Sequence, residues 1–265
     1  MNIFLREMNA NRKSLIIWCV LVIAMVGAGM SKFTAAAASG QSMNELMAQM
    51  PKAIQAMMGS GAFDLTKASG FYGMLFLYLL VMATVHAAML GATIISKEER
   101  DKTTEFLLVK PVSRTKIITA KLLAALTNLL VFNLITLLSS LTVVGYYAKG
   151  EAVNEGIFIL MLAMFILQVL YLLIGTGIAA VSKRPKTAPS VATWLLLATF
   201  ILSALIDLNA NLESLKYLTP FKYFEVKNLM YGGGFEPVFL IISGLTMVML
   251  VSITYSFYQK RDMSI

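Results

Sequence analysis

Residues 156–181 read GIFILMLAMFILQVLYLLIGTGIAAV, a run with no charge and no proline, in which Gln168 is the most polar side chain. At about 1.5 Å of rise per residue, roughly 20 such residues cross the ~30 Å hydrocarbon core of a bilayer. In a bilayer a helix is favoured because it bonds every backbone amide within its own segment. Five more segments pass the same test, so spans are expected at about 15–34, 71–95, 119–148, 156–181, 189–206 and 238–257. The first follows Arg12 and Lys13 and precedes the small residues Ala35 to Ser39, a layout shared with signal peptides, but it is expected to be retained as a span. The expected fold is an all-α polytopic membrane protein with six transmembrane helices in a single domain over residues 1–265.

Composition agrees. Of 265 residues, 58% are hydrophobic and 14% charged, where soluble domains have roughly 25% charged. The mean hydropathy is +0.76. These values exclude a disordered chain, a collagen and a disulfide scaffold. Cys19 is the lone cysteine and His86 the lone histidine, which argues against a zinc site. A formal charge of +8 raises the question of nucleic acid, and the positions of the charges answer it. With the N-terminus inside, fifteen of the 22 Lys and Arg residues fall on the inner side and seven on the outer, while the 14 carboxylates divide six and eight. Both termini are therefore expected to be cytoplasmic, and the excess charge to meet anionic lipid and no nucleic acid.

The apolar interior offers little chemistry. Its polar members are His86, Asn128, Asn133, Gln168 and scattered Ser and Thr, with no carboxylate pair for a proton relay and no nucleophile and base set. His86 reads as a neutral, hydrogen-bonded interior histidine. An ion-coupled secondary transporter would need interrupted helices and ion-binding groups at mid-membrane, and a membrane-embedded enzyme would need a catalytic set, so both rank only as alternatives. Ala24 and Ala28, with Gly27 and Gly29 beside them, would let the first span approach another closely.

The loops carry more. Ser96 and Glu99 have the spacing of a capping box, Lys97 to Leu108 is rich in helix formers, Pro111 ends that helix, and Ser113 can cap the next. Phe106, Leu107 and Leu108 emerge on the cytoplasmic side, where burial of each is worth about 1.5–3 kcal/mol, so they need cover from lipid or from a partner. On the outer side Met43, Leu46, Met47, Met50, Ile54, Met57 and Met58 recur at helical intervals, which predicts one apolar face. A greasy cap is favoured over a soft-metal site because no His or Cys accompanies it.

The run Ile95-Ser96-Lys97-Glu98, then Thr103, Glu105-Phe106-Leu107-Leu108, Pro111-Val112-Ser113-Arg114 and Lys121 resembles the permeases of exporter-type ABC transporters, often called ABC type 2. Lys102 stands where the family usually has Gly, a change that favours helix by about 0.5–1 kcal/mol. A short amphipathic N-terminus at Asn2 to Asn11 and the aromatic, proline-containing stretch Leu215 to Phe224 also resemble that family, although an interfacial aromatic belt would explain the latter.

The resemblance implies a membrane subunit that is not itself an enzyme. It would pair with a second permease subunit, as a homodimer or heterodimer, and with two cytoplasmic ABC ATPase subunits. Nothing in the chain matches G-x-x-x-x-G-K-[ST]. No cofactor or metal is expected here, and ATP and Mg²⁺ belong on the partner. A coupling helix between spans 2 and 3 would meet the ATPase through Glu98, Thr103, Glu105, Phe106, Leu107, Leu108, Pro111 and Arg114. Of these, Glu98 and Arg114 read as screened rim charges worth about 0–1 kcal/mol. The cargo is expected to be hydrophobic or amphipathic, such as a peptide or drug, and the location the bacterial plasma membrane.

The charge distribution makes a testable statement about topology. In a Cys19→Ser background, single cysteines at Ser60 and Asn211 should react with an impermeant thiol reagent added to sealed cells, and one at Thr115 should not. External labelling at Thr115 would reverse the orientation.

Overall fold

The computed structural model describes residues 2–35, 41–58, 63–101, 112–182, 184 and 186–260. Among these, the α-helices are α1 (Ile3–Ser31), α2 (Gln41–Gln49), α3 (Lys52–Met58), α4 (Ala68–Arg100), α5 (Arg114–Ala148), α6 (Asn154–Val181), α7 (Ala188–Leu208), α8 (Val226–Met230) and α9 (Pro237–Lys260). Two 3₁₀ segments, Ala210–Leu218 and Pro220–Lys222, lie between α7 and α8. Six helices among the described residues, α1, α4, α5, α6, α7 and α9, are long and apolar enough to cross a bilayer.

The helices run past the apolar windows that locate them. No Gly or Pro interrupts Ile3 to Val26, so the expected amphipathic N-terminus and the first span form one continuous helix. Asn2 caps it, its side-chain oxygen accepting from the Phe4 N–H at 3.1 Å. α4 likewise continues through Ser96. The capping box expected at Ser96 and Glu99 is absent: Ser96 is fully buried in mid-helix, and its hydroxyl donates to the Ala92 carbonyl at 2.8 Å. Nothing between Ile95 and Lys97 could break the helix, so the charged turn is an extension of the second span. Ser113 does cap α5, accepting from the Lys116 N–H at 3.3 Å.

α4 and α6 form the buried centre. They pack over a long interface, with α5 against both and α1 on the outer side of α5, while α7 lies on α4 and α9 on α6. Two glycines set the approach. A Cβ on Gly91 would lie 2.1 Å from the Leu172 carbonyl oxygen, and one on Gly175 would lie 2.4 Å from the Ala88 carbonyl oxygen. Backbone meets backbone at both points, as small residues allow between membrane helices. The small residues expected to do this on α1 do less: a Cβ on Gly27 would touch nothing within 4 Å, and one on Gly29 would meet only the movable Leu75 side chain.

Polar groups in the bundle are mostly satisfied locally. Asn133 donates to the Met161 carbonyl at 3.2 Å and to Gln168 Oε1 at 3.3 Å, and the Tyr72 hydroxyl donates to Ser140 at 2.8 Å. His86 is held by rings, with Trp18 and Phe132 centroids each 5.2 Å away. Its Nδ1 has no hydrogen-bond partner among the described residues, so packing replaces the expected hydrogen bond there. Apolar side chains of α1, α7 and α9, among them Ile17, Trp194 and Val248, point outward, as a lipid-facing surface requires.

At the end of the bundle opposite the chain termini, the methionine-rich stretch is two helices, with Pro51 between them, and not the single helix expected. Met47 packs on the core, whereas Ile54 is exposed. The side chains of Met43, Leu46, Met57 and Met58 lie outside those described. Gln55 ties the helices together across the proline, donating to the Ala48 and Met50 carbonyls at 3.0 and 2.7 Å. The aromatic stretch after α7 turns inward. Phe221 packs between Tyr171 and Phe200, with centroids 5.4 and 5.3 Å away, and Tyr223 stacks on Phe239 at 5.0 Å. Thr219, fully buried, donates to the Thr199 carbonyl at 2.8 Å. These residues close the end of the bundle, where an interfacial belt would lie around its outside.

Because carbonyl oxygens cannot move aside as side chains do, Gly91→Leu and Gly175→Leu should each cost at least the ~1–3 kcal/mol typical of overpacking, read as a lowered thermal midpoint of the purified protein. Gly27→Leu should leave the midpoint unchanged. Equal midpoints for all three would refute the close approach.

Candidate coupling site

The end of the bundle that holds both chain termini also holds its densest charge. α1 brings Arg6 and Glu7, α4 brings Lys97 and Glu98, and α5 brings Lys121. Arg6 Nη2 reaches Glu7 Oε1 at 2.9 Å and Glu98 Oε1 at 3.1 Å. Lys97 donates to the other oxygen of Glu7. Lys121 Nζ lies 2.5 Å from Glu98 Oε2 and from the Ile94 carbonyl oxygen. Glu7 and Lys121 are fully buried and Glu98 is 6% exposed. Asn11 reinforces the α1 side by donating to the Glu7 carbonyl at 2.9 Å, and Asn128 on α5 reaches Met8 Sδ at 3.2 Å.

The wiring has a simple consequence. Glu98 stands in the last turn of α4, which ends at Arg100, and Lys121 stands two turns into α5, so their pairing joins the two limbs that lead into and out of residues 102–111. Arg6 and Glu7 then fasten α1 to the α4 limb, through Glu98 and Lys97. A second set of bonds fastens α9: Arg114 donates to the Gln259 carbonyl at 2.9 Å, Gln259 Nε2 to Thr115 Oγ1 at 3.1 Å, and the Thr119 and Tyr255 hydroxyls pair at 2.7 Å.

These positions change what was expected of two residues. Glu98 is no screened rim charge, since it is buried and shared between Arg6 and Lys121, and Arg114 is half-buried and bonded to the last helix. Thr103, Glu105, Phe106, Leu107, Leu108 and Pro111 lie outside the described residues. At the near edge, Arg100 and Asp101 pair at 2.9 Å on the surface, and the guanidinium hydrogen bond holds the Asp101 carboxyl below its ordinary range. Arg6, Glu7, Lys97 and Lys121 were not among the expected site residues. Glu7 is one of few carboxylates on the basic side of the chain, and that rarity was the signal for it. Both buried carboxylates, Glu7 and Glu98, are engaged by cations, so the cluster is suited to holding helices in register and not to moving protons.

Residues 1–263 match the family described as ABC-2 family transporter protein. No curated protein matches the chain.

Removing one member of a buried ion pair strands the other charge, at a typical cost of about 3–5 kcal/mol. Glu98→Ala should therefore lower the thermal midpoint strongly, and adding Lys121→Met to it should restore most of the loss, because Arg6 keeps Glu7. Arg100→Ala, at an exposed pair, should cost only about 0–1 kcal/mol. A Glu98→Ala protein as stable as the wild type would show that the cluster holds nothing together.

Proposed function

This chain belongs to the ABC-2 family of transporter proteins, and from that premise we propose that it forms one membrane half of an ATP-driven exporter, with both termini in the cytoplasm. It is a multi-pass membrane protein and the permease component of an ABC transporter. In our reading two such subunits, identical or related, enclose a path for a hydrophobic or amphipathic cargo such as a peptide or drug. Two separate cytoplasmic ATPase subunits bind ATP and Mg²⁺ and supply the energy, and the assembly resides in the bacterial plasma membrane.

The observation that supports coupling is the ion-paired clamp. A partner that displaces residues 102–111 pulls on Glu98 and Lys121 together, and through Arg6 and Glu7 it also moves α1. Phe106, Leu107 and Leu108 would be the apolar patch that enters the ATPase, with Thr103, Glu105 and Pro111 shaping the segment around them. Glu98 and Arg114 would act from behind the contact, by holding its two limbs.

Leu107→Asp tests this. A buried, unpaired carboxylate at the contact should cost about 3 kcal/mol of binding, more than a hundredfold in affinity. Because Leu107 lies outside the six spans, the variant should insert normally yet fail to retain the ATPase in a pull-down. If the segment rests on lipid headgroups instead, ATPase recovery will be unchanged, and normal co-purification with normal ATP-driven transport would end the docking reading.

A further inference from the structure

A cavity of about 500 Å³ lies at the end of the bundle opposite the termini, between α3, α4, α7 and the inward-turned aromatic stretch. That volume falls within the range of small-molecule sites, roughly 300–1,000 Å³. Its deep wall is uncharged and largely apolar: Leu77, Leu80 and Val81 from α4, Phe200 and Ala204 from α7 with Ser203 between them, and Phe221. Leu77 and Leu80 stand about 14–18 Å along α4 from its first residue, so the cavity reaches into the spanning part of the bundle.

The wall at the loop end is charged. Asp207 closes α7, Lys222 and Glu225 follow the aromatic stretch, and Lys52 and Lys227 come from α3 and α8. Lys222 pairs with Asp207 and, at 3.1 Å, with Glu225. Burial disfavours its ammonium, but the two carboxylates outweigh that and hold its pKa above the ordinary lysine value. Lys52 and Lys227 are exposed and have no ion pair among the described residues. Three ammonium groups thus stand against two carboxylates, with the surplus positive charge at the opening and none in the depth.

A ligand for this cavity must put an apolar chain in the depth and a negative group at the opening. We propose that it is a binding site for a single-chain anionic amphiphile, one acyl-type chain ending in a carboxylate or phosphate, held within one subunit. The walls come from one chain, so the site does not depend on a partner ATPase or on a path between two subunits. The chain lies against Leu77, Leu80 and Phe221, and the headgroup is drawn to Lys52 and Lys227 because Lys222 is already engaged.

The full-length protein in phosphatidylcholine nanodiscs, titrated with dansyl-labelled undecanoate, gives the test. Saturable binding at one probe per chain, beyond that of empty nanodiscs, is expected. Ala204→Phe, which fills the depth, should weaken it at least tenfold. The double variant Lys52→Glu/Lys227→Glu changes only exposed side chains. It should weaken the carboxylate probe at least tenfold and favour dansyl-labelled undecylamine, which the wild type should bind poorly. Uptake equal to that of empty nanodiscs, wild-type affinity in an Ala204→Phe protein with an unchanged melting midpoint, or equal wild-type affinity for amine and carboxylate would each overturn the proposal.

Discussion

The contact between α4 and α6 at Gly91 and Gly175 governs the arrangement of the bundle. Lipid tails are as apolar as leucine, so helices in a bilayer gain little from hiding side chains from one another and depend on close van der Waals fit. Here the fit is at the limit, with no room for even a methyl group on either glycine. Once α4 and α6 meet at that distance, α5 packs against both, α7 lies chiefly on α4 and α9 chiefly on α6. α1 is attached last in this sense, mainly to α5, and to α4 through ring packing at Trp18 and through charge.

That attachment by charge is of a different kind from the rest. A buried ion pair contributes little net stability relative to apolar side chains of the same shape, because desolvation consumes most of the Coulomb attraction. Its contribution lies in being specific and costly to leave half-made. Arg6, Glu7, Lys97, Glu98 and Lys121 are mutually satisfied in one relative placement of three helices. Sliding α1 by a turn would leave Glu7 buried without Lys97. The apolar centre thus supplies adhesion, and the cluster supplies register at the end of the bundle where residues 102–111 emerge.

The spans were legible because hydrocarbon thickness imposes a length on any apolar helix, and 156–181 stands out on that ground against the observed Asn154–Val181. Their ends were less so. Arg6, Glu7, Arg12 and Lys13 interrupt a hydropathy window but not a helix, which is why α1 begins at Ile3 and not near Leu15. The coupling cluster was legible in part. Glu98, Arg114 and the stretch between them were marked by capping, proline and resemblance, but Glu7 meets Lys97 across 90 positions of sequence, and spacing reports only neighbours within a turn or two. The charged and apolar walls of the cavity come from α3, α4, α7, α8 and the aromatic stretch, so no local pattern announced it.

α4 and α5 contain 33 and 35 residues. At ~1.5 Å per residue each is about 50 Å long, some 20 Å more than a ~30 Å hydrocarbon core needs. Glu98 and Lys121 tie them together near their shared end. A tilt of about 5° around one end of a straight helix that long moves the other by roughly 4 Å, about three-quarters of the ~5.4 Å rise of one helical turn. Leverage of this size converts a small angular change at one face of the bilayer into a displacement at the other large enough to part packed side chains, with neither helix bending.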